Sequence, residues 1–233
     1  MHKIAISAAA VDRMTKRTGK LHPFDVMDPR KTALIVIDMQ NYFCKAGQQG
    51  EVPKSRDIVP NINRLAADLR RRGGLVVWVR NGTRDTRDSW SNYHEFLHTP
   101  ERRESRYAAM DVDADGYEYW HLNDIRPEDA QITKTRYSAF IQGSSTIERL
   151  LRDRGIDTLL IAGTATNVCC ESSARDAMML NFKVIMVSDA LATHNDEEHN
   201  ASLSIFYGLF GDVQTVDEAV ASLERGDTSR AAA

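Results

Sequence analysis

Four short runs built almost wholly of apolar residues, Ala33–Ile37, Leu75–Val79, Thr158–Ala162 and Val184–Val187, constrain this chain more than any other feature. A strand with one wet face alternates polar and apolar residues. Unbroken runs belong to strands covered on both faces, as in a parallel sheet. Between the runs lie segments with helical spacing. Ile58–Arg72 puts Ile58, Ile62, Leu65 and Leu69 on one face and is stopped by Gly73-Gly74. Thr146–Arg154, with Ser144 or Ser145 as its cap, puts Ile147, Leu150 and Leu151 on one face and ends at Gly155. Each crossover between parallel strands must cover a face. The pattern therefore predicts an α/β fold, a three-layer α/β/α sandwich around a mainly parallel, Rossmann-like sheet.

Weaker segments complete the order. Gln131–Lys134 is a short third strand, a helix runs from Cys169 to about Leu180, and Thr193-His194-Asn195 leads into a helix through Phe206. Val213–Val216 is expected at an edge of the sheet, and Asp217–Leu223 closes the domain. Ser7–Arg17 predicts a peripheral helix with Val11 and Met14 as its apolar stripe. The expected organisation is an N-terminal extension over 1–30, one domain over 31–225, and a frayed tail over 226–233. Residues 83–130 form a long polar connection rich in arginine, aspartate and aromatic residues, and connections of that length carry function or structure of their own. Asn92, Tyr93 and His94 are its candidate pocket residues, and the arginines of Glu101-Arg102-Arg103-Glu104 read as a solvated face or a subunit contact.

With a net charge of −3 over 233 residues, the chain has no overall bias toward nucleic acid or an anionic membrane, and neither is expected as a partner. Three cysteines, Cys44, Cys169 and Cys170, do not make a disulfide framework, which fits a reducing, cytoplasmic setting. No apolar run approaches the roughly 20 residues that span a bilayer. Asp12, Asp25 and Asp28 are untypical of a transit peptide.

Polar residues follow the strand runs. Asp38 directly succeeds Ile37, Asn81 follows the second run, Lys134 ends the third, and Gly163–Cys169 connects the central strand to a helix. Each has an ordinary structural explanation: a turn cap for Asp38, solvent for Lys134, small-residue packing for the cysteines. Ligands of open α/β sheets, however, sit at the carboxyl ends of the strands, so all four features converge on one edge. A thiol at a helix start feels unpaired N–H groups and the positive end of the helix dipole, which favour thiolate. An acid, a lysine and that thiol suit nucleophilic acyl transfer: Asp38 accepts the Cys169 proton and returns it to a departing amine, and Lys134 stabilises the sulfur anion. Backbone N–H groups of the turn, near Ala165 and Cys169, are placed to hold the tetrahedral oxyanion.

The segments Ile37-Asp38-Met39-Gln40, Lys134 before Tyr137-Ser138, and Gly163-Thr164-Ala165-Thr166-Asn167-Val168-Cys169 resemble the isochorismatase-like cysteine hydrolases over about Ala33 to Val220. The resemblance implies Asp38, Lys134 and Cys169 as a catalytic triad, a cis peptide between Thr164 and Ala165, and the Ala165 and Cys169 N–H groups as the oxyanion hole. Trp78–Gly82, Asn92-Tyr93-His94 and Arg136–Phe140 look most like the ureidoacrylate amidohydrolase branch. That likeness implies Asn81 and Asn92 at the ureido end of a small substrate, with Tyr137 and Thr164 also in the pocket. Where the nicotinamidase branch carries an Asp-x-His segment for a metal, this chain has Asn81-Gly82-Thr83-Arg84-Asp85, so no metal and no cofactor are expected. The resemblance further implies a homo-oligomer. The expected reaction is cleavage of a C–N bond in a small linear ureido or carbamoyl compound. The alternatives are another small amide, maleamate-like or an N-carbamoyl amino acid, or a silent fold serving as an interaction or redox protein.

Overall fold

The computed structural model describes residues 1–84 and 86–231. Six strands, β1 (Thr32–Ile37), β2 (Leu75–Asn81), β3 (Ala130–Lys134), β4 (Thr158–Thr164), β5 (Lys183–Ala192) and β6 (Asp212–Gln214), form one sheet. Its order is β3-β2-β1-β4-β5-β6, and every pair is parallel. The chain thus starts in the middle, builds outward to β3, and returns to the other side of β1 with β4. The order reverses between β1 and β4, which is where an open α/β sheet leaves a crevice.

Burial on both faces follows the period of two. Ala33, Ile35 and Ile37 of β1 face a helical layer that contributes Met14, Ile147, Leu151, Ala174, Leu203 and Phe206. Leu34 and Val36 face the opposite layer, where Ile62, Leu65 and Leu69 of the helix Val59–Arg71 meet Val216, Ala219 and Leu223 of the helix Val216–Ala231. Each fully buried Leu or Ile side chain here contributes about 1.5–3 kcal/mol, which is why these runs are apolar without interruption.

Three expectations need correction. The N-terminal helix, Ala8–Thr18, is not merely peripheral: Ala10 and Met14 join the core, and Arg17 Nη1 donates to Gly208 C=O at 3.0 Å. β5 does not stop at Val187. A register shift opposite Ile161 and Gly163 absorbs Ser188-Asp189, and Asp189 Oδ1 accepts the Val216 N–H at 2.8 Å to start the last helix. That helix continues past Leu223 to Ala231, held by Arg225 Nε on Asp25 C=O at 2.6 Å and by an Arg72–Asp227 ion pair of 2.7 Å. Of the expected tail, residues 232–233 lie outside the described residues. The connection after β2 is largely helical, with helices Thr86–Ser89, Ser91–Phe96 and Pro100–Ala109.

β1 and β4 come unusually close at their carboxyl ends. Gly163 pairs with Ile37, has φ +114°, and a Cβ there would lie 2.0 Å from the Ile37 carbonyl oxygen. Only glycine fits both the backbone conformation and the space. Gly163→Ala is expected to lose at least ~2 kcal/mol of stability, from overpacking against main chain that cannot rotate away. Chemical denaturation checks this; an unchanged midpoint and slope would contradict it.

Candidate active site

Asp38 leaves β1 with φ +56°, a left-handed conformation that aspartate tolerates better than most residues, and its N–H donates to Val79 C=O at 2.8 Å. Its carboxyl group is completely buried. Lys134 ends β3, in register with Asn81 of the intervening β2. The lysine's four-carbon stem carries its ammonium past β2, and Nζ lies 2.9 Å from Asp38 Oδ2 and 3.0 Å from the Arg136 carbonyl oxygen. Both side chains of the pair have no exposed area. Two charges taken this far from water persist only because they face each other.

Cys169 follows β4 in a turn that differs from a simple helix start. The Thr164–Ala165 peptide is cis, and Thr166–Cys170 forms a single π-helical turn before the α-helix Glu171–Met179. Val168 and Cys170 N–H both reach Ala165 C=O, at 3.1 and 3.2 Å. The Ala165 N–H, just before the turn, makes no backbone hydrogen bond among the described residues. Behind the turn, Thr166 Oγ1 contacts His199 Nδ1 at 2.9 Å, and Ser173 Oγ donates to Cys169 C=O at 2.7 Å. These bonds fix the loop from the side away from the sheet edge.

The electrostatics correct one expectation. The helix start and Lys134 are not enough to make the free thiol acidic: burial and the Asp38 carboxylate push Cys169 up to about 12, against the opposing pull of Lys134 and Arg106. Burial also raises Asp38, despite Lys134 and the Cys169 thiol. For Lys134 burial acts downward, and the negative groups Asp38 and Cys169 outweigh it, so the ammonium is held more tightly than usual. At rest the centre is a neutral thiol beside an ion pair. Cys44 and Cys170 are buried thiols whose pKa values burial also raises, which fits packing.

Around the triad the expected residues divide. Asn81 is buried at the end of β2; Gln40 clamps its main chain through both its amide atoms, at 2.7 and 3.0 Å, while Asn81 Nδ2 has no partner among the described residues. Tyr137 is half-buried and packs with Trp90 and Tyr93, ring centres 5.1 and 5.4 Å away. Thr164 is buried, but its hydroxyl donates to Ala192 C=O at 3.2 Å and is spent on β5. Asn92 is not brought in: it is exposed on the helix Ser91–Phe96, and Tyr93, one step of about 100° further round, takes the inward position. Trp90, stacked on Tyr93 at 4.1 Å, completes an aromatic cover, and Cys169 keeps only 5% of its surface exposed.

One residue of the site has no signal in the strand ends. Arg106, on the helix Pro100–Ala109, is buried at 7% exposure, with its guanidinium 5.3 Å from the Tyr42 ring and 5.7 Å from the Tyr93 ring. The helix reads as a charged surface stretch; only the adjacent Tyr107, and Met110 four residues on, hint that one face turns inward. No group of three or more His, Cys, Asp or Glu side chains able to hold a metal ion occurs among the described residues, and Asp85 lies outside them. No described helix is long and apolar enough to cross a membrane.

The isochorismatase domain model matches residues 32–218, the whole sheet and the turn that carries Cys169. The chain belongs to the isochorismatase family. Isochorismatase-family proteins similar to it include the uncharacterized YwoC of Bacillus subtilis, 31% identical over 192 residues, which cover 82% of this chain and 94% of that protein. The ureidoacrylate amidohydrolase RutB of Klebsiella pneumoniae is 31% identical over 212 residues, 82% of this chain and 88% of RutB. A cysteine hydrolase from Pseudomonas syringae superimposes with a TM-score of 0.74 at 28% identity, over 86% of this chain and 95% of the other. The protein is therefore a hydrolase of the isochorismatase family.

The ion pair makes a stability prediction. Lys134→Met leaves the Asp38 charge buried and alone and is expected to cost about 3–5 kcal/mol, whereas Asp38→Asn/Lys134→Met removes both charges and regains most of that loss. A double-mutant cycle by urea denaturation checks it; additive losses would show that the charges do not depend on each other.

Proposed function

We propose that this hydrolase is a cysteine amidohydrolase that cleaves a C–N bond in a small linear ureido or carbamoyl compound. The observation that carries the reading is the buried Asp38–Lys134 pair beside the Cys169 thiol. The similarity to a ureidoacrylate amidohydrolase supports the substrate class, as does the unpartnered buried amide of Asn81, which can pair with a ureido group.

The resting state dictates the order of events. Burial and Asp38 hold the thiol protonated at neutral pH, so proton transfer accompanies attack. Sγ bonds to the substrate carbonyl carbon as Asp38 takes the thiol proton. The carbonyl electrons move onto oxygen, where the Ala165 and Cys169 N–H groups receive them. The tetrahedral adduct then collapses: the C–N bond breaks, Asp38 hands its proton to the leaving nitrogen, and a thioester remains on Cys169. Water attacks the thioester, Asp38 takes the water's proton, and Sγ leaves to recover the thiol. Lys134 stays protonated throughout and offsets the negative charge that moves between sulfur, oxygen and carboxylate. If the terminal nitrogen departs, ammonia leaves first and an N-substituted carbamate last; if the internal nitrogen departs, the amine leaves first and carbamate last.

Cys169→Ala or Cys169→Ser is expected to reduce ammonia release from ureides by more than ~10³-fold, and substantial residual turnover would sink the mechanism. The same assay across ureides, maleamate-like amides and N-carbamoyl amino acids ranks the substrate classes. The acid limb of kcat/KM reports the Asp38 carboxyl in the free enzyme and is expected above the ordinary carboxylate range, because burial raises that group. Activity is then lost as the pH falls through that value. A limb at or below pH 3.8 would contradict this assignment.

A further inference from the structure

We infer that Arg106 is the residue that selects the substrate, and that the compound cleaved at Cys169 carries a carboxylate at the end away from the scissile bond. The inference rests on the amidohydrolase reading and extends it. A guanidinium is rarely buried without an acid, because the loss of hydration must be met by a partner. Arg106 is 93% buried by its 7% exposure, its Nε has no hydrogen-bond partner, and no carboxylate forms an ion pair with it among the described residues. The acid within its electrostatic reach is Asp38, whose Oδ2 already faces Lys134 at 2.9 Å. What surrounds the guanidinium instead is aromatic: Tyr42, two residues beyond Gln40, and Tyr93 of the aromatic cover. These rings lend partial compensation to a cation, and the Tyr42 side chain also takes a hydrogen bond from it, while Nε is left without a partner.

Tyr93, beside the guanidinium, packs on Tyr137 with ring centres 5.4 Å apart, and Cys169, Asp38 and Tyr137 all lie within electrostatic reach of the Arg106 charge. A planar carboxylate is the anion that a guanidinium fork matches with two parallel hydrogen bonds. With a carbonyl carbon at Sγ and the Asn81 amide near the ureido nitrogens, a carboxylate at the opposite end of a short chain completes the unmet polar groups of the site. Arg87 of the insertion and Arg136 beyond β3 do not compete for this role: Arg87 pairs with Glu104 at 2.8 Å, and Arg136 donates to main-chain carbonyls of Thr135 and Ser89.

The test compares ω-ureidocarboxylates of one to three methylenes with the corresponding neutral ω-ureido alcohols, on wild type, Arg106→Gln and Arg106→Lys. In wild type the best acid is expected to have a KM at least about ten-fold below that of its alcohol. Arg106→Gln should raise KM for the acid by that factor, leave the alcohol within about two-fold, and keep or raise the melting temperature, since an unpaired buried charge has been removed; Arg106→Lys should restore part of the acid preference. Alcohols used as well as acids, a preference that survives Arg106→Gln, an equal fall of kcat on both series, or a variant that melts lower and is not rescued by lysine would each overturn the assignment. If no ureide or amide is turned over by wild type, the amidohydrolase reading has failed, and alkylation of Cys169 decides the arginine separately. The iodoacetate-to-iodoacetamide rate ratio should fall by about ten-fold in Arg106→Gln, and an unchanged ratio rejects it.

Discussion

The contact between Lys134 and Asp38 is the constraint on which the rest of this molecule depends. Neither charge survives burial alone, and they arrive from strands that are not neighbours, with β2 between them. Holding them together therefore requires β1, β2 and β3 to end at matching levels, which the register of Asn81 with Lys134 secures. The unbroken apolar strands supply the rigidity. Once the pair is fixed, the Cys169 thiol is subject to two opposed influences within one small space, and its protonation state follows from which of them prevails together with burial.

That balance explains why the resting thiol is protonated at a helix entry that would favour thiolate in isolation. A neutral thiol next to a carboxylate and an ammonium keeps a sulfur and a proton acceptor together without exposing a reactive anion. Asp38 and Lys134 have no exposed side-chain area, and this burial strengthens the charge interactions between them.

Much of this was legible in the sequence because strand ends have a fixed meaning in an open α/β sheet. Ile37-Asp38, Thr133-Lys134 and the small-residue turn before Cys169 were visible as polar punctuation after apolar runs, and parallel topology gathers them at one edge. Asn81 was legible for the same reason. Arg106 was not, since Pro100–Ala109 looks solvated residue by residue, and only tertiary packing turns Arg106 and Tyr107 inward while Arg102 and Glu104 stay out. Asn92 shows the converse: a plausible polar residue beside Tyr93 whose helix phase, fixed by packing, points it away. The direction of the Cys169 shift was also out of reach, because a local rule about helix ends says nothing of desolvation. The extended last helix was missed because its hold, Arg72 on Asp227 and Arg225 on Asp25, comes from distant parts of the chain.

The contact of Gly163 with Ile37 divides the molecule into a part whose length is frozen and a part whose length is free. From Thr32 opposite Thr158 to Ile37 opposite Gly163, β1 and β4 run in step, so adding or deleting one residue in either would turn every following side chain to the wrong face. Residues 82–129, between β2 and β3, carry no such restriction. They bring Trp90, Tyr93 and Arg106 to the site while leaving Asp38, Lys134 and Cys169 untouched. The helices of this one insertion can thus be lengthened, shortened or re-pitched without disturbing the contact of Asp38 with Lys134 or the turn that carries Cys169.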